Sequence, residues 1–244
     1  MMEANGMSDQ HMGRVAMISG ANRGIGNAVA RRLHAEGYQL SLGVRRPGAF
    51  TDRGGLEGGA AVEVFAYEAA EPAHARRWVD ETMARFGRID VLVNNAGIHR
   101  NVTLESGGED ELDELLAINV KAPFRLIRAA FPHLKASGTG RVVNVSSMSG
   151  KRVRNLAVGY QMSKAAMVTL AHAVRRAGWE SGVRAVAVCP GYVRTDMAGG
   201  PTAPPRDQMT DPDELAGLIA AVVGLANTAS VAELLVNCQY EHML

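Results

Sequence analysis

Tyr160 and Lys164 stand four residues apart, and Ser147 precedes the tyrosine by thirteen. In a helix, positions i and i+4 share a face, so the Lys164 ammonium is expected beside the Tyr160 phenol. A phenol titrates near about 10 in water, too high for proton traffic at neutral pH. A neighbouring cation favours the phenolate, so the spacing predicts that Lys164 lowers the Tyr160 pKa and makes it a general acid or base. A serine hydroxyl nearby would donate to an oxygen on which charge develops. With 5 tyrosines and 4 lysines in 244 residues, an accidental Tyr-x-x-x-Lys is expected about 5 × 4/244 ≈ 0.08 times. The plainer alternative is an amphipathic helix carrying a surface lysine.

Short apolar runs alternate with helix-period segments around these residues. Strands are expected over Val15–Ser19, Gln39–Val44, Val62–Tyr67, Ile89–Asn94, Arg141–Ser146, Arg184–Cys189 and Leu234–Asn237. Helices are expected over Ile25–Glu36, Pro72–Phe86, Glu111–Lys135, Gly159–Trp179 and Pro212–Leu225. Strands this apolar, separated by crossover helices, imply a parallel sheet buried on both faces. The right-handed crossover rule then favours a Rossmann-type, doubly wound α/β fold, with about seven strands in the order 3-2-1-4-5-6-7. Residues 1–13 are expected to be a flexible leader and 14–244 one domain. Gly- and Pro-rich stretches at Pro47–Gly59 and Gly199–Pro205 predict a loop and a lid near the site.

The first strand runs into Ser19-Gly20-Ala21-Asn22-Arg23-Gly24-Ile25-Gly26 and then a helix. Glycine permits a sharp turn and a close backbone approach, and a helix N-terminus offers unpaired N–H groups to a pyrophosphate. Glycines alone are weak evidence; their place after the first strand of an alternating chain strengthens them. The end of the second strand reads Gly43-Val44-Arg45-Arg46, with no acid to accept from a ribose 2′-hydroxyl. Arg45, with Arg23 in the cradle, would instead grip a 2′-phosphate. NADP(H) is therefore expected over NAD, the alternative being that these arginines are solvated loop charges.

Composition narrows the remaining classes. With 26 Lys+Arg against 25 Asp+Glu the net charge is +1, so no global field recruits nucleic acid or an anionic membrane. The sequence shows no apolar stretch of membrane-span length. The two cysteines, Cys189 and Cys238, form no disulfide framework and fit a cytoplasmic setting. The histidines are scattered without helix-spaced pairs, so no metal site is expected.

Taken together, these stretches resemble the short-chain dehydrogenase/reductase family from about Arg14 to Cys238. The cradle matches its Thr-Gly-x-x-x-Gly-x-Gly signature, with Ser19 in place of threonine. Asn94-Asn95-Ala96-Gly97 matches its Asn-Asn-Ala-Gly, and Pro190-Gly191-Tyr192-Val193-Arg194-Thr195 its Pro-Gly-x-Val-x-Thr. The resemblance implies catalytic roles for Asn119, Ser147, Tyr160 and Lys164, with Asn119 anchoring a water that links Lys164 to solvent. It implies cofactor contacts from Gly20, Asn22, Arg23, Gly24, Ile25, Gly26, Arg45, Glu68, Ala69, Asn95, Ala96, Gly97, Pro190, Gly191, Val193 and Thr195, as well as from Tyr160 and Lys164. It also implies a homotetramer or homodimer. Glu68 stands where the family usually has aspartate, and the tail lacks the family's terminal Asp-Gly-Gly.

The implied activity is hydride transfer between NADP(H) and a small-molecule carbonyl or secondary alcohol. A β-ketoacyl-type reductase on carrier-linked substrates is an alternative, since Lys151, Arg152 and Arg154 form a basic cluster; solvated loop charge is its plainer reading. A non-catalytic NADP(H)-sensing module is a second alternative, opposed by the presence of Ser147, Tyr160 and Lys164. A sugar-nucleotide epimerase is the third, opposed by the glycine spacing and the short C-terminal part. His99 lies within reach of the pocket, though a lone loop histidine reads equally as polar surface.

Overall fold

The computed structural model describes residues 11–50, 54–200 and 203–240. Its centre is a sheet of seven parallel strands: β1 (Val15–Ser19), β2 (Gln39–Val44), β3 (Val62–Ala66), β4 (Val91–Asn94), β5 (Arg141–Val145), β6 (Arg184–Pro190) and β7 (Glu233–Val236). Their order is β3-β2-β1-β4-β5-β6-β7, as the sequence predicts. The helices are α1 (Gly24–Ala35), α2 (Pro72–Phe86), α3 (Glu109–Leu116), α4 (Ala122–Ala136), α5 (Val158–Gly178) and α6 (Pro212–Val223).

Side-chain alternation along the strands feeds two cores. Ala16, Ile18, Val91 and Val93 join Val29 and Leu33 of α1 and Leu215 and Ile219 of α6 on one face. Met17, Leu92 and Val142 join Trp78 of α2, Leu126 and Leu134 of α4 and Val174 of α5 on the other. Every residue of β1 is buried, which is why that strand carries no alternation of polarity. No helix among the described residues is long and apolar enough to cross a membrane.

Two expectations need correction. The long helix expected over Glu111–Lys135 is three pieces, because Ala117–Lys121 forms a π-helical turn between α3 and α4. Such turns insert one residue into the ladder and re-aim a side chain, here Asn119. The leader lies outside the described residues up to residue 10. Its end is not loose: His11 is buried and stacks on Tyr38 with ring centroids 4.8 Å apart. Within the expected lid, residues 201 and 202 lie outside the described residues.

Candidate active site

The C-terminal ends of β1, β4, β5 and β6 supply the site, as the crevice of a doubly wound sheet should. The turn after β1 is the first wall. Gly20 and Gly24 have φ of +67° and +57°, a region where a side chain is strained. Arg23 is the N-cap of α1 with extended backbone and no side-chain cap, and the first turn holds no acidic residue. The first amides of α1 are thus left for an anion, and the site fits a pyrophosphate on this ground.

Asn95 clasps this turn from the neighbouring strand end. Its Nδ2 donates to Ser19 O at 3.0 Å and Gly20 O at 3.1 Å. Ser19 Oγ returns the contact, accepting from Asn95 N (3.0 Å) and Ala96 N (3.1 Å). Serine therefore performs this task in place of threonine. A Cβ on Gly26 would sit 2.4 Å from both Asn95 Nδ2 and Gly20 O. Gly26→Ala is accordingly expected to cost about 2–4 kcal/mol of stability and to weaken dinucleotide binding. Denaturant unfolding and a binding titration check both, and an unchanged midpoint would refute the clasp.

At the end of β2, Arg45 is exposed and makes no hydrogen bond or ion pair among the described residues. Arg23 Nη1 lies 2.9 Å from Asp196 Oδ2, with side chains 70% and 68% exposed. Such a solvated pair is worth about 0–1 kcal/mol and exchanges partners readily. Glu68 is half-buried, and its backbone N–H is held by His74 Nδ1 at 3.0 Å, next to buried Ala69. Val193 bridges to Thr210, and Thr195 packs where a Gly24 Cβ would lie, 3.1 Å from Thr195 Cγ2. Pro190 ends β6, and Gly191 N donates to Val236 O at 2.8 Å, so the Pro190–Thr195 stretch is seated between β7 and the cradle.

The acid–base residues meet at the ends of β5 and α5. Ser147 caps a short 3₁₀ turn, Met148–Gly150, its hydroxyl accepting from Ser149 N at 3.1 Å and donating toward Pro190 O at 3.5 Å. Lys164 is buried, and its Nζ donates to Val145 O at 3.0 Å while lying 5.6 Å from the centre of the Tyr160 ring. Asn119 is buried in the π turn; its Nδ2 donates to Ile98 O (2.9 Å) and Ser163 Oγ (3.0 Å), and its Oδ1 accepts from Ile98 N (2.9 Å). Both Asn119 donors are therefore spent on the chain itself. Through these bonds Asn119 fixes the Ile98 backbone. Gly97 sits close beside Asn119: a Cβ there would be tight at 3.2 Å from Asn119 Oδ1 and in ordinary contact at 3.6 Å with Lys164 Nζ.

The electrostatics reverse one expectation. Burial pushes the Tyr160 pKa up to about 12, and the Ser147 hydroxyl offsets this only in part. Burial likewise drives Lys164 down to about 8. Among the chain's own groups, then, Lys164 does not bring the phenol toward neutrality; desolvation outweighs its field. At neutral pH the pair is a protonated phenol beside an ammonium, a poised proton donor.

His99 is exposed yet packs beside the site. Its ring centre lies 4.7 Å from that of Tyr160, and Arg100, forked onto Glu114 at 2.8 and 2.9 Å, holds the His99 carbonyl at 2.9 Å. Desolvation and Arg100 both keep the His99 pKa below its usual value, so the ring is neutral where a substrate would meet it. The expected basic cluster disperses: Lys151 pairs with Glu233 at 2.6 Å and Arg154 with Gln239 at 3.0 Å.

A parallel doubly wound sheet with a glycine cradle and a Ser–Tyr–Lys cluster at its crevice defines a dinucleotide-binding protein of the dehydrogenase type. Residues 14–204 match the short chain dehydrogenase family, and the chain belongs to that family. It is 37% identical over 232 residues to an agropine synthesis reductase of Rhizobium rhizogenes, a match covering 95% of this chain and 54% of that protein. The chain thus spans about half the length of that curated relative. It is 32% identical over 190 residues to an acetoacetyl-CoA reductase of Rhizobium meliloti, covering 76% of each chain. Among solved structures, a short chain dehydrogenase from Burkholderia cenocepacia in complex with NADP superposes with a TM-score of 0.85 at 30% identity, covering 94% of this chain and 98% of that one.

Proposed function

We propose that the protein is an oxidoreductase that moves a hydride between NADP(H) and a carbonyl or secondary alcohol, with Tyr160 as its general acid and base. The observation that carries this reading is the Tyr160 ring 5.6 Å from the ammonium of buried Lys164, with Ser147 capping the turn after β5 and Gly97 beside the lysine. A bound nicotinamide would supply the hydride. Tyr160 holds the proton at its phenol oxygen and passes it to the nascent alkoxide in reduction; in oxidation it takes the proton back. Ser147 donates to the same substrate oxygen. Lys164 contributes positive charge behind the phenol and a donor for ribose hydroxyls. Asn119 keeps Gly97 and Ile98 clear of that space.

On the cofactor side, Gly20, Asn22, Gly24, Ile25 and Gly26 would receive the pyrophosphate. Glu68 and Ala69 would flank the adenine, and Asn95, Ala96 and Gly97 its ribose. Pro190, Gly191, Val193 and Thr195 would hold the carboxamide end. Likeness to a structure bound to NADP supports the phosphorylated cofactor, as does an Arg45 without a partner among the described residues and no acid in β2. Arg23 would join by leaving Asp196. Arg45→Ala is expected to raise the KM for NADPH about tenfold or more while leaving that for NADH within about twofold. Steady-state kinetics with both cofactors and a ketone panel checks this, and an equal change for the two would remove Arg45 from the choice.

Likeness to an acetoacetyl-CoA reductase favours a second reading, reduction of a thioester-linked β-keto group. Against it, Lys151 and Arg154, which would answer a carrier's negative charge, are paired within the chain. Assembly as a homodimer or homotetramer and a cytoplasmic setting belong to the same proposal.

A further inference from the structure

The 3₁₀ turn that begins at Ser147 is pinned at one end by known neighbours. Ser146 Oγ donates to Lys164 O at 2.7 Å. Gly150 lies against the α5 backbone so closely that a Cβ would stand 2.7 Å from the carbonyl of Lys164. The far end of the turn is held differently. Lys151 Nζ lies 2.6 Å from Glu233 Oε2, and Glu233 Oε1 lies 2.8 Å from His172 Nε2 on α5. Glu233 opens β7 and pairs in register with Ala187 of β6. Beneath these charges sits only a five-residue apolar cluster of Met148, Val168, Ala171, Ala187 and Cys189.

So small a cluster resists separation but gives little direction, because apolar contact is non-directional. Hydrogen-bonded polar groups supply direction: Lys151 and Glu233 are 24% and 20% exposed, and His172, which adds charge only if protonated, is 41% exposed. The carboxylate thus meets the serine's turn with one oxygen and the helix of Tyr160 and Lys164 with the other. Lys151 follows Ser147 by four residues, and His172 follows Lys164 by eight, about two helical turns.

The geometry points to Glu233 as a positioning residue: its two-sided contact with Lys151 and His172 holds the Ser147 hydroxyl in register with the Tyr160 phenol. The inference rests on the proposed function, since the register matters only if both hydroxyls serve one substrate oxygen.

The test uses Glu233→Gln, Lys151→Met, the double variant and Lys151→Arg, with two readouts. At saturating NADPH and carbonyl substrate, kcat is expected to fall on the order of tenfold in each loss variant, with KM for NADPH unchanged. The double variant should fall no further, and Lys151→Arg should restore the rate. Independently of activity, amide exchange at Ser149 and Gly150, whose N–H groups bond Ser147, should accelerate in Glu233→Gln. A lowered Tm with unchanged kcat and unchanged exchange at these two amides would overturn the inference. If the intact protein reduces no carbonyl, the proposed function fails separately, and the exchange readout alone decides: acceleration upholds Glu233 as the brace, and its absence overturns it.

Discussion

Lys164→Met is expected to give a protein that is more stable at neutral pH and almost without activity. The lysine's pKa falls from 10.5 to about 8 on burial, and a gap of that size corresponds to about 3 kcal/mol at about 1.4 kcal/mol per tenfold in proton affinity. The sign follows from linkage. Below about pH 8 the amine is charged in folded and unfolded chains alike, and the full desolvation cost bears on the fold. Between about 8 and 10.5 the folded chain sheds its proton while the unfolded chain keeps it, so the cost fades; above 10.5 it is gone. Methionine fills a similar volume without charge but leaves Val145 O without its 3.0 Å donor, which returns about 1–2 kcal/mol of the gain. A net gain of about 1–2 kcal/mol at pH 7, shrinking as pH rises toward 10.5, is the expected result of denaturant unfolding. In the intact protein, kcat/KM for reduction should decline as pH rises through about 8, because the ammonium behind the phenol is then lost.

Tyr160→Phe should remove about three orders of magnitude from kcat, or about 4 kcal/mol of transition-state stabilisation. The ring keeps its packing against His99 and Lys164, at 4.7 and 5.6 Å, so the fold and the NADPH affinity should hold. Ser147 keeps its bond to Ser149 N, and the loss falls on proton delivery alone. The high phenol pKa sharpens this expectation. A group pushed up to about 12 is protonated throughout the working range before a reductive turnover, and each turnover then draws one proton from solvent to restore it. Loss of NADPH binding alongside activity would instead mark Tyr160 as a cofactor clamp.

Much of this architecture is written in local signals. α2 occupies Pro72–Phe86 as predicted, because Pro72 opens it and Gly87, at φ +75°, ends it. The doubly wound parallel sheet follows from apolar runs and handed crossovers, and the Tyr160–Lys164 spacing survives because α5 is regular across it. What was illegible is either long-range or environmental. Nothing in Leu116-Ala117-Ile118-Asn119-Val120 distinguishes a π turn from an α-helix; the turn reflects Asn119 bonding Ile98, twenty-one residues away. Arg23 finds Asp196 across 173 positions and Lys151 finds Glu233 across 82, pairings that no local pattern encodes. The direction of the Tyr160 shift is likewise illegible, because spacing reveals a neighbouring charge but not the depth at which the phenol is buried.

The most direct measurement follows isotope from NADPH, carrying deuterium at its transferable position, into the alcohol formed from a ketone panel, with intact protein and Tyr160→Phe side by side. The account predicts label in the product carbon for the intact protein and about a thousandfold slower transfer in the variant, with NADPH bound equally by both. Equal transfer by the two proteins, or tight NADPH binding by the intact protein with no label in any product, would contradict it.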